Sequence, residues 1–267
     1  MIANDFLLAI FIASFGLMIG SFLNALVWRL RNNLPIGGKE RSICTKCKHQ
    51  LVWYDLIPVI SWLSLKAKCR YCQKPISAQY PVVELLNSAV WLVSFIVLQP
   101  STMTDYVLLA MWLFASSCLL ALATYDAKWL ELPDNLVLAF TIATIGYILV
   151  DSFVLGGFSI IASSLLGVFA VAGLFYGLHA ISDGAWIGGG DVKLAVGMGI
   201  LLGLEQGLLA VFVAAFAGSI FGLAGIAFFG KNRSAQIPFG PFLIMATIIS
   251  FLFGEHLIDL YMNLIII

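Results

Sequence analysis

Residues 6–28 read FLLAIFIASFGLMIGSFLNALVW and are followed at once by Arg29. A hydrocarbon core of about 30 Å needs roughly 20 apolar residues in a helix, and this run supplies them with no charged side chain. It does not read as a removable leader. Asn4 and Asp5 stand where a basic start belongs, and the apolar stretch is too long, so a retained helix is expected. The whole chain has the same character. Its 267 residues (29.0 kDa) are 61% hydrophobic and 10% charged, with a mean hydropathy of +1.02. A soluble domain carries about 25% charge, so a water-soluble globule is excluded. The zero net charge and high apolar content exclude disorder and nucleic-acid binding as well.

Seven further runs read as spans: about Pro81 to Gln99, Tyr106 to Tyr125, Asn135 to Val150, Phe158 to Ile181, Val192 to Leu204, Gly207 to Gly230 and Pro241 to Ile265. A transmembrane barrel alternates apolar and polar residues, and these runs do not. The expected fold is an all-α polytopic membrane protein of about eight transmembrane helices with a small cytoplasmic zinc-binding loop domain. Three parts follow: residues 1–28 as the first helix, 29–80 as the loop module, and 81–267 as helices two to eight. Ten of the fourteen Lys and Arg lie between Arg29 and Lys74, and the others are Lys128, Lys193, Lys231 and Arg233. With eight spans all fall on one side or at its edge, opposite Asp5, Asp105, Asp151, Glu205 and Asp259. The positive-inside rule makes the basic side cytoplasmic and puts both termini outside.

The loop holds Cys44-Thr-Lys-Cys47 and Cys69-Arg-Tyr-Cys72, separated by 21 residues. Each CxxC can turn two thiolates toward one ion, and four thiolates close a tetrahedral zinc site. A reducing cytosol disfavours the alternative disulfides. A closed four-cysteine site leaves no position for substrate, so its role is structural. His49 is then a surface residue, and Cys118, inside the third span, is inert packing.

Charged residues inside spans are costly and mark functional sites. Asp126 ends the third span, Asp134 follows in Leu132-Pro133-Asp134-Asn135, and Asp191 opens the sixth in Gly188-Gly189-Gly190-Asp191. Asp134 fits a helix N-cap. At Asp191 capping competes with a chemical role, because the three glycines would let an extended substrate backbone approach the carboxylate. Asp126 and Asp191, if brought together, cannot both ionise comfortably. One would stay protonated and the other charged, a pair suited to activating water and protonating an amide leaving group.

Further residues give the chain a resemblance to a known family. Gly20-Ser21-Phe22-Leu23-Asn24 with Trp28-Arg29-Leu30, the stretch Trp53 to Leu63 between the cysteine pairs, Ile76-Ser77, and Tyr80-Pro81-Val82-Val83-Glu84 occur in one order with both CxxC pairs. In this the chain resembles the type IV prepilin peptidases, bifunctional leader peptidases and N-methyltransferases of bacterial inner membranes. The resemblance implies catalytic aspartates at Asp126 and Asp191, with Gly188, Gly190 and Lys193 supporting the second. It differs in having Ala185-Trp186-Ile187 where the family often carries Gly-Met-Gly. The implied reaction removes a basic leader from a prepilin or pseudopilin after a Gly. S-adenosylmethionine then methylates the new N-terminus. The large loop and Glu84 are candidates for serving that second step. The implied partners are these substrates and the lipid bilayer, with no nucleic acid. Pilus, secretion and DNA-uptake systems use similar leaders. A proton-coupled transporter, a non-enzymatic zinc adaptor and a peptidase without methylation are the competing readings.

Overall fold

The computed structural model describes residues 2–36, 41–155, 157–229 and 238–265; Lys39, Lys231 and Arg233 of the expected basic face lie outside them. Among the described residues the secondary structure is helical, apart from two isolated bridges, Ile43 with Gln50 and Lys68 with Pro75. Seven helices among the described residues are long and apolar enough to cross a membrane. The chain divides into two units, Met1–Gln99 and Pro100–Ile267.

In the first unit, α1 (Ile2–Arg31) packs against α3 (Gln79–Leu98), with a long loop and the one-turn helix α2 (Ile60–Ser64) between them. Lipid offers no hydrophobic force to pull helices together, so close backbone approach and hydrogen bonds hold the pair. A Cβ at Gly20 would fall 2.6 Å from the Cα of Glu84. Ser88 Oγ donates to the Ala13 carbonyl and Asn87 Nδ2 to the Gly16 carbonyl, both at 2.8 Å. Asn24 Nδ2 donates to the carbonyls of Gly20 and Tyr80 at 3.2 Å. The partners 13 with 88 and 24 with 80 fix the two helices as antiparallel.

The second unit contains α4 (Met103–Trp129), α5 (Asp134–Leu155), and α6 (Phe158–Gly167), which passes through a π-turn (Val168–Ala172) into α7 (Gly173–Ile181). It ends with α8 (Gly189–Phe229) and α9 (Gly240–Ile265). A capping box opens α4: the Asp105 N–H donates to Thr102 Oγ1 and the Thr102 N–H to the Asp105 carboxylate. Its middle forms the core, where Trp112, Leu119, Ala121 and Leu122 are fully buried and Trp112 stacks on Phe251 at 3.8 Å.

The fifth span has the bounds expected from sequence. The fourth runs past its expected end at Val150 to Leu155, since α5 carries Asp151 and Ser152 as its last polar turn. The expected sixth and seventh spans are joined in α8 by a single non-helical residue, Gly203 (φ 66°, ψ −162°). This conformation is open to glycine alone among the common residues. The neighbours show that the chain reverses there. Gly199 lies against Gly167 and Val168, Gly203 against Ser163, and Gly207 against Val171. The path therefore runs down α6 and then back up it. Further along, Gly254 of α9 meets Gln206, and Phe242 meets Phe221 at 5.4 Å. Residues 189–202 and 204–229 are thus two antiparallel helices, the first shorter than a hydrocarbon core requires.

Candidate active site and metal centre

The chemistry-bearing carboxylates of the second unit come from helix ends. Asp126 occupies the last turn of α4, which stops when Leu130 turns left-handed (φ 55°). Its side chain belongs to a residue only 6% exposed. The backbone N–H of Gly240, the first residue of α9, donates to Asp126 Oδ2 at 3.1 Å. A helix N-terminus presents unsatisfied N–H groups and partial positive charge, so it suits a carboxylate. The approach is close enough that a Cβ on Gly240 would lie 2.6 Å from the same oxygen.

Asp191 lies in the first turn of α8, where its N–H donates to the Gly188 carbonyl at 3.1 Å. The Gly188 backbone also hydrogen-bonds the Asp191 carboxylate, and Asp126 is within electrostatic reach of it. An electrostatic interaction thus links two residues 65 positions apart in sequence. A Cβ at Gly190 would meet the Leu132 side chain at 3.0 Å, a contact tight enough that the leucine would have to shift. That contact presses the α4–α5 turn against the start of α8. Gly188 has room for a side chain, its nearest neighbour being Asp191 Oδ2 at 3.7 Å.

Two of the neighbouring charges pair with one another. Lys193 Nζ donates to Asp134 Oδ1 at 2.7 Å, with both groups largely exposed. Asp134 is the first helical residue of α5 rather than its cap. The capping carbonyl is that of Pro133, which accepts from Leu136 and Val137.

His179 was not singled out from the sequence. Its Nδ1 lies 2.7 Å from the Ile187 carbonyl, and its own carbonyl accepts from the Gly184 N–H at 2.9 Å. A carbonyl only accepts, so Nδ1 carries the proton. The ring thereby ties down the loop leading into Asp191. Neither His179 nor Gly240 belongs to a motif with a local chemical signature. The only hint at Gly240 is Pro238-Phe239-Gly240-Pro241 opening a span.

In the first unit, the Sγ atoms of Cys44, Cys47, Cys69 and Cys72 all lie within 4.8 Å of one another. A tetrahedral ion with bonds of about 2.3 Å would hold sulfurs about 3.8 Å apart, so the donor set fits one metal ion. The two arms are built alike with an offset of 25 residues. The Cys44 N–H donates to the His49 carbonyl and the Cys69 N–H to the Lys74 carbonyl, both at 2.9 Å. Lys48 and Gln73 each take positive φ (61° and 57°), and the bridge Ile43–Gln50 has its counterpart in Lys68–Pro75. Burial works against ionising Cys44, but the backbone groups of Cys47 and Lys46, with the Cys47 and Cys69 side chains, together outweigh it and lower its thiol to about 7.

Glu84 is 5% exposed, and its carboxylate accepts the Val59 N–H at 2.8 Å and hydrogen-bonds Ser21. Val59 itself is strained. It has φ 60° and ψ −49°, and the Ile60 N–H donates across it to the Pro58 carbonyl in a three-residue γ-turn. A β-branched residue holds such a conformation only where its surroundings enforce it.

An all-helical, multi-spanning protein that gathers two carboxylates at helix ends, and in its other unit four thiols around one point, has the parts of a membrane-embedded hydrolase. Comparison with known proteins agrees, and the chain belongs to the type IV leader peptidase family. The model of that family matches residues 107–223, and that of the bacterial peptidase A24 N-terminal domain matches residues 14–98. The chain is 31% identical to the prepilin leader peptidase/N-methyltransferase of Aeromonas salmonicida, over 94% of this chain and 93% of the relative. It is 31% identical to that of Aeromonas hydrophila and 28% identical to that of Legionella pneumophila, each over 93% of this chain and 92% of the relative. No solved structure matches.

Proposed function

We propose that the chain removes the leader from type IV prepilins and pseudopilins with Asp126 and Asp191, and then methylates the new N-terminus from S-adenosylmethionine. The observation that supports the peptidase reading is the electrostatic interaction of Asp191 with Asp126, whose carboxylate meets the N-terminus of α9. Two carboxyl groups that face one another work with one proton between them. The ionised one takes a proton from water, which attacks the scissile carbonyl. The protonated one supports the carbonyl oxygen and then delivers its proton to the departing amine. No metal or covalent intermediate is needed. The Gly188–Gly190 stretch gives an extended substrate backbone access to the pair.

The reaction is assigned to the cytoplasmic face of the inner membrane, with both termini periplasmic. The basic residues support this orientation, since Lys128 and Lys193 lie at the helix ends that carry Asp126 and Asp191. For the cysteine cluster the assigned metal is zinc, which would cross-link the two arms of the loop without touching substrate. The methylation reading draws on the names of the relatives. Glu84, a candidate for serving the methylation by attracting the protonated amine of the new N-terminus, spends its carboxylate on Val59 and Ser21. Meeting an amine there would require the Pro58–Ile60 turn to open.

The test is to incubate purified protein with a prepilin and S-adenosylmethionine, alongside Asp126→Ala and Asp191→Ala. Each variant should stay folded and lose cleavage entirely. Normal cleavage by either would overturn the assignment. Cleavage by the native chain without the mass of an added methyl group would leave a peptidase alone.

A further inference from the structure

Residues 51–65, LVWYDLIPVISWLSL, carry one charged side chain, Asp55. That charge is turned onto the second cysteine arm. Its Oδ1 accepts from Arg70 Nε at 2.8 Å and its Oδ2 from the Tyr71 hydroxyl at 3.2 Å, leaving the side chain 3% exposed. The apolar residues do the opposite. Trp53 is 76% exposed, Ile60 64% and Leu63 61%, and Leu56 is exposed as well. They recur at intervals of three and four across the turn Trp53–Leu56 and helix α2. A soluble loop that hid its only charge and exposed its largest apolar side chains would be an aggregation hazard.

The depth of this segment resolves the contradiction. The Val59 N–H is bonded to Glu84, five residues into α3, about 7.5 Å along that helix from its first residue. The segment therefore lies level with the second turn of a spanning helix. Val82, Leu85 and Leu86 on that stretch of α3 are themselves exposed apolar residues. Lys46 and Lys48 precede the segment, and Lys66 and Lys68 follow it. An apolar strip level with a spanning helix, bearing a Trp and flanked by lysines, has the chemistry of an interfacial membrane segment.

We propose that Trp53 to Leu63 is an interfacial anchor. Trp53, Leu56, Ile60 and Leu63 enter the headgroup–acyl boundary of the bilayer crossed by α1 and α3, and Lys66 and Lys68 meet anionic headgroups. The Glu84–Val59 bond sets the depth of immersion, and the Asp55–Arg70 pair removes the charge that would oppose it. The cysteine module is thereby held flat on the membrane.

The test uses the full-length protein in nanodiscs of phosphatidylcholine with phosphatidylglycerol. Photoreactive benzoylphenylalanine replaces, one at a time, Ile60, Leu63, the lipid-facing Phe11 of α1, and Gln50 of the first cysteine arm. After illumination, lipid adducts are counted by mass spectrometry, with metal content as the check on folding. Yields at 60 and 63 should approach that at 11 and exceed that at 50 several-fold. Yields at 60 and 63 no higher than at 50, with metal retained, would overturn the proposal and leave the strip to a protein partner. If the probes at 60 and 63 cost the metal, Trp53 decides. Brominated lipid should quench the native chain more strongly than Trp53→Phe, and equal quenching would sink the anchor.

Discussion

The backbone N–H of Gly240 donates to the carboxylate of Asp126 at 3.1 Å, across 114 residues of sequence. This bond orients one proposed catalytic group from the N-terminus of a different helix. Gly240→Ala would place a methyl group against Asp126 Oδ2 and displace either the carboxylate or α9. Displacements of about 1 Å cost on the order of 100-fold in rate. Prepilin cleavage should fall by about that factor, with KM little changed. Full activity in the alanine variant would mean that this bond does not orient the catalytic group.

The reversal at Gly203 rests on a conformation that side chains disfavour, and Ser163 fills the space a Cβ would take. Gly203→Ala should destabilise the protein by about 1–3 kcal/mol, read as a lowered midpoint of thermal unfolding in detergent. Gly177 has open space where a Cβ would go, so Gly177→Ala serves as the neutral control.

The Cys44 thiol is lowered to about 7 from its ordinary 9. Its neighbour Cys47 is raised to about 11, so the two shifts act on the loop's stability in opposite senses. Metal retention weakens as pH falls, because every ligand must be deprotonated. Chelator competition should therefore show affinity weakening steadily from about pH 8.5 to about pH 6. A flat profile would argue against thiolate ligation. Because the two arms are built alike, Cys44→Ser and Cys69→Ser should release metal to the same extent.

The Lys193–Asp134 pair is exposed on both sides, and exposed pairs contribute at most about 1 kcal/mol. Asp134→Asn should leave cleavage within about threefold and shift stability by less than that energy. A collapse of activity with the fold intact would place Asp134 in the chemistry rather than on the surface.

The parts legible in the sequence are those encoded locally. The apolar helices follow from composition, and four ligand positions follow from CxxC spacing, since each arm closes its own turn locally. Asp126 and Asp191 were legible as charges at span ends, because such charges are rare in this chain. Their interaction was not, since it depends on how the α4–α5 turn meets the start of α8. The Gly240 bond was hidden for a related reason: a backbone N–H has no residue type to betray it. The sixth and seventh spans were read as separated by a short connector. One glycine suffices, because its φ of 66° turns the chain in a single step. The Glu84–Val59 bond stayed hidden as well, since nothing in Pro58-Val59 advertises a positive φ.

The helix that carries Asp191 has only fourteen residues before Gly203 turns the chain back. Such a helix rises about 21 Å, against a hydrocarbon thickness of about 30 Å. It cannot reach both surfaces of an undeformed bilayer. The membrane must thin around it, or water must penetrate to one of its ends. Where that thinning falls at the end that carries Asp191, water would reach the proposed catalytic pair through a dimple in the lipid. Longer acyl chains would fill that dimple, so the peptidase should slow as the surrounding bilayer thickens.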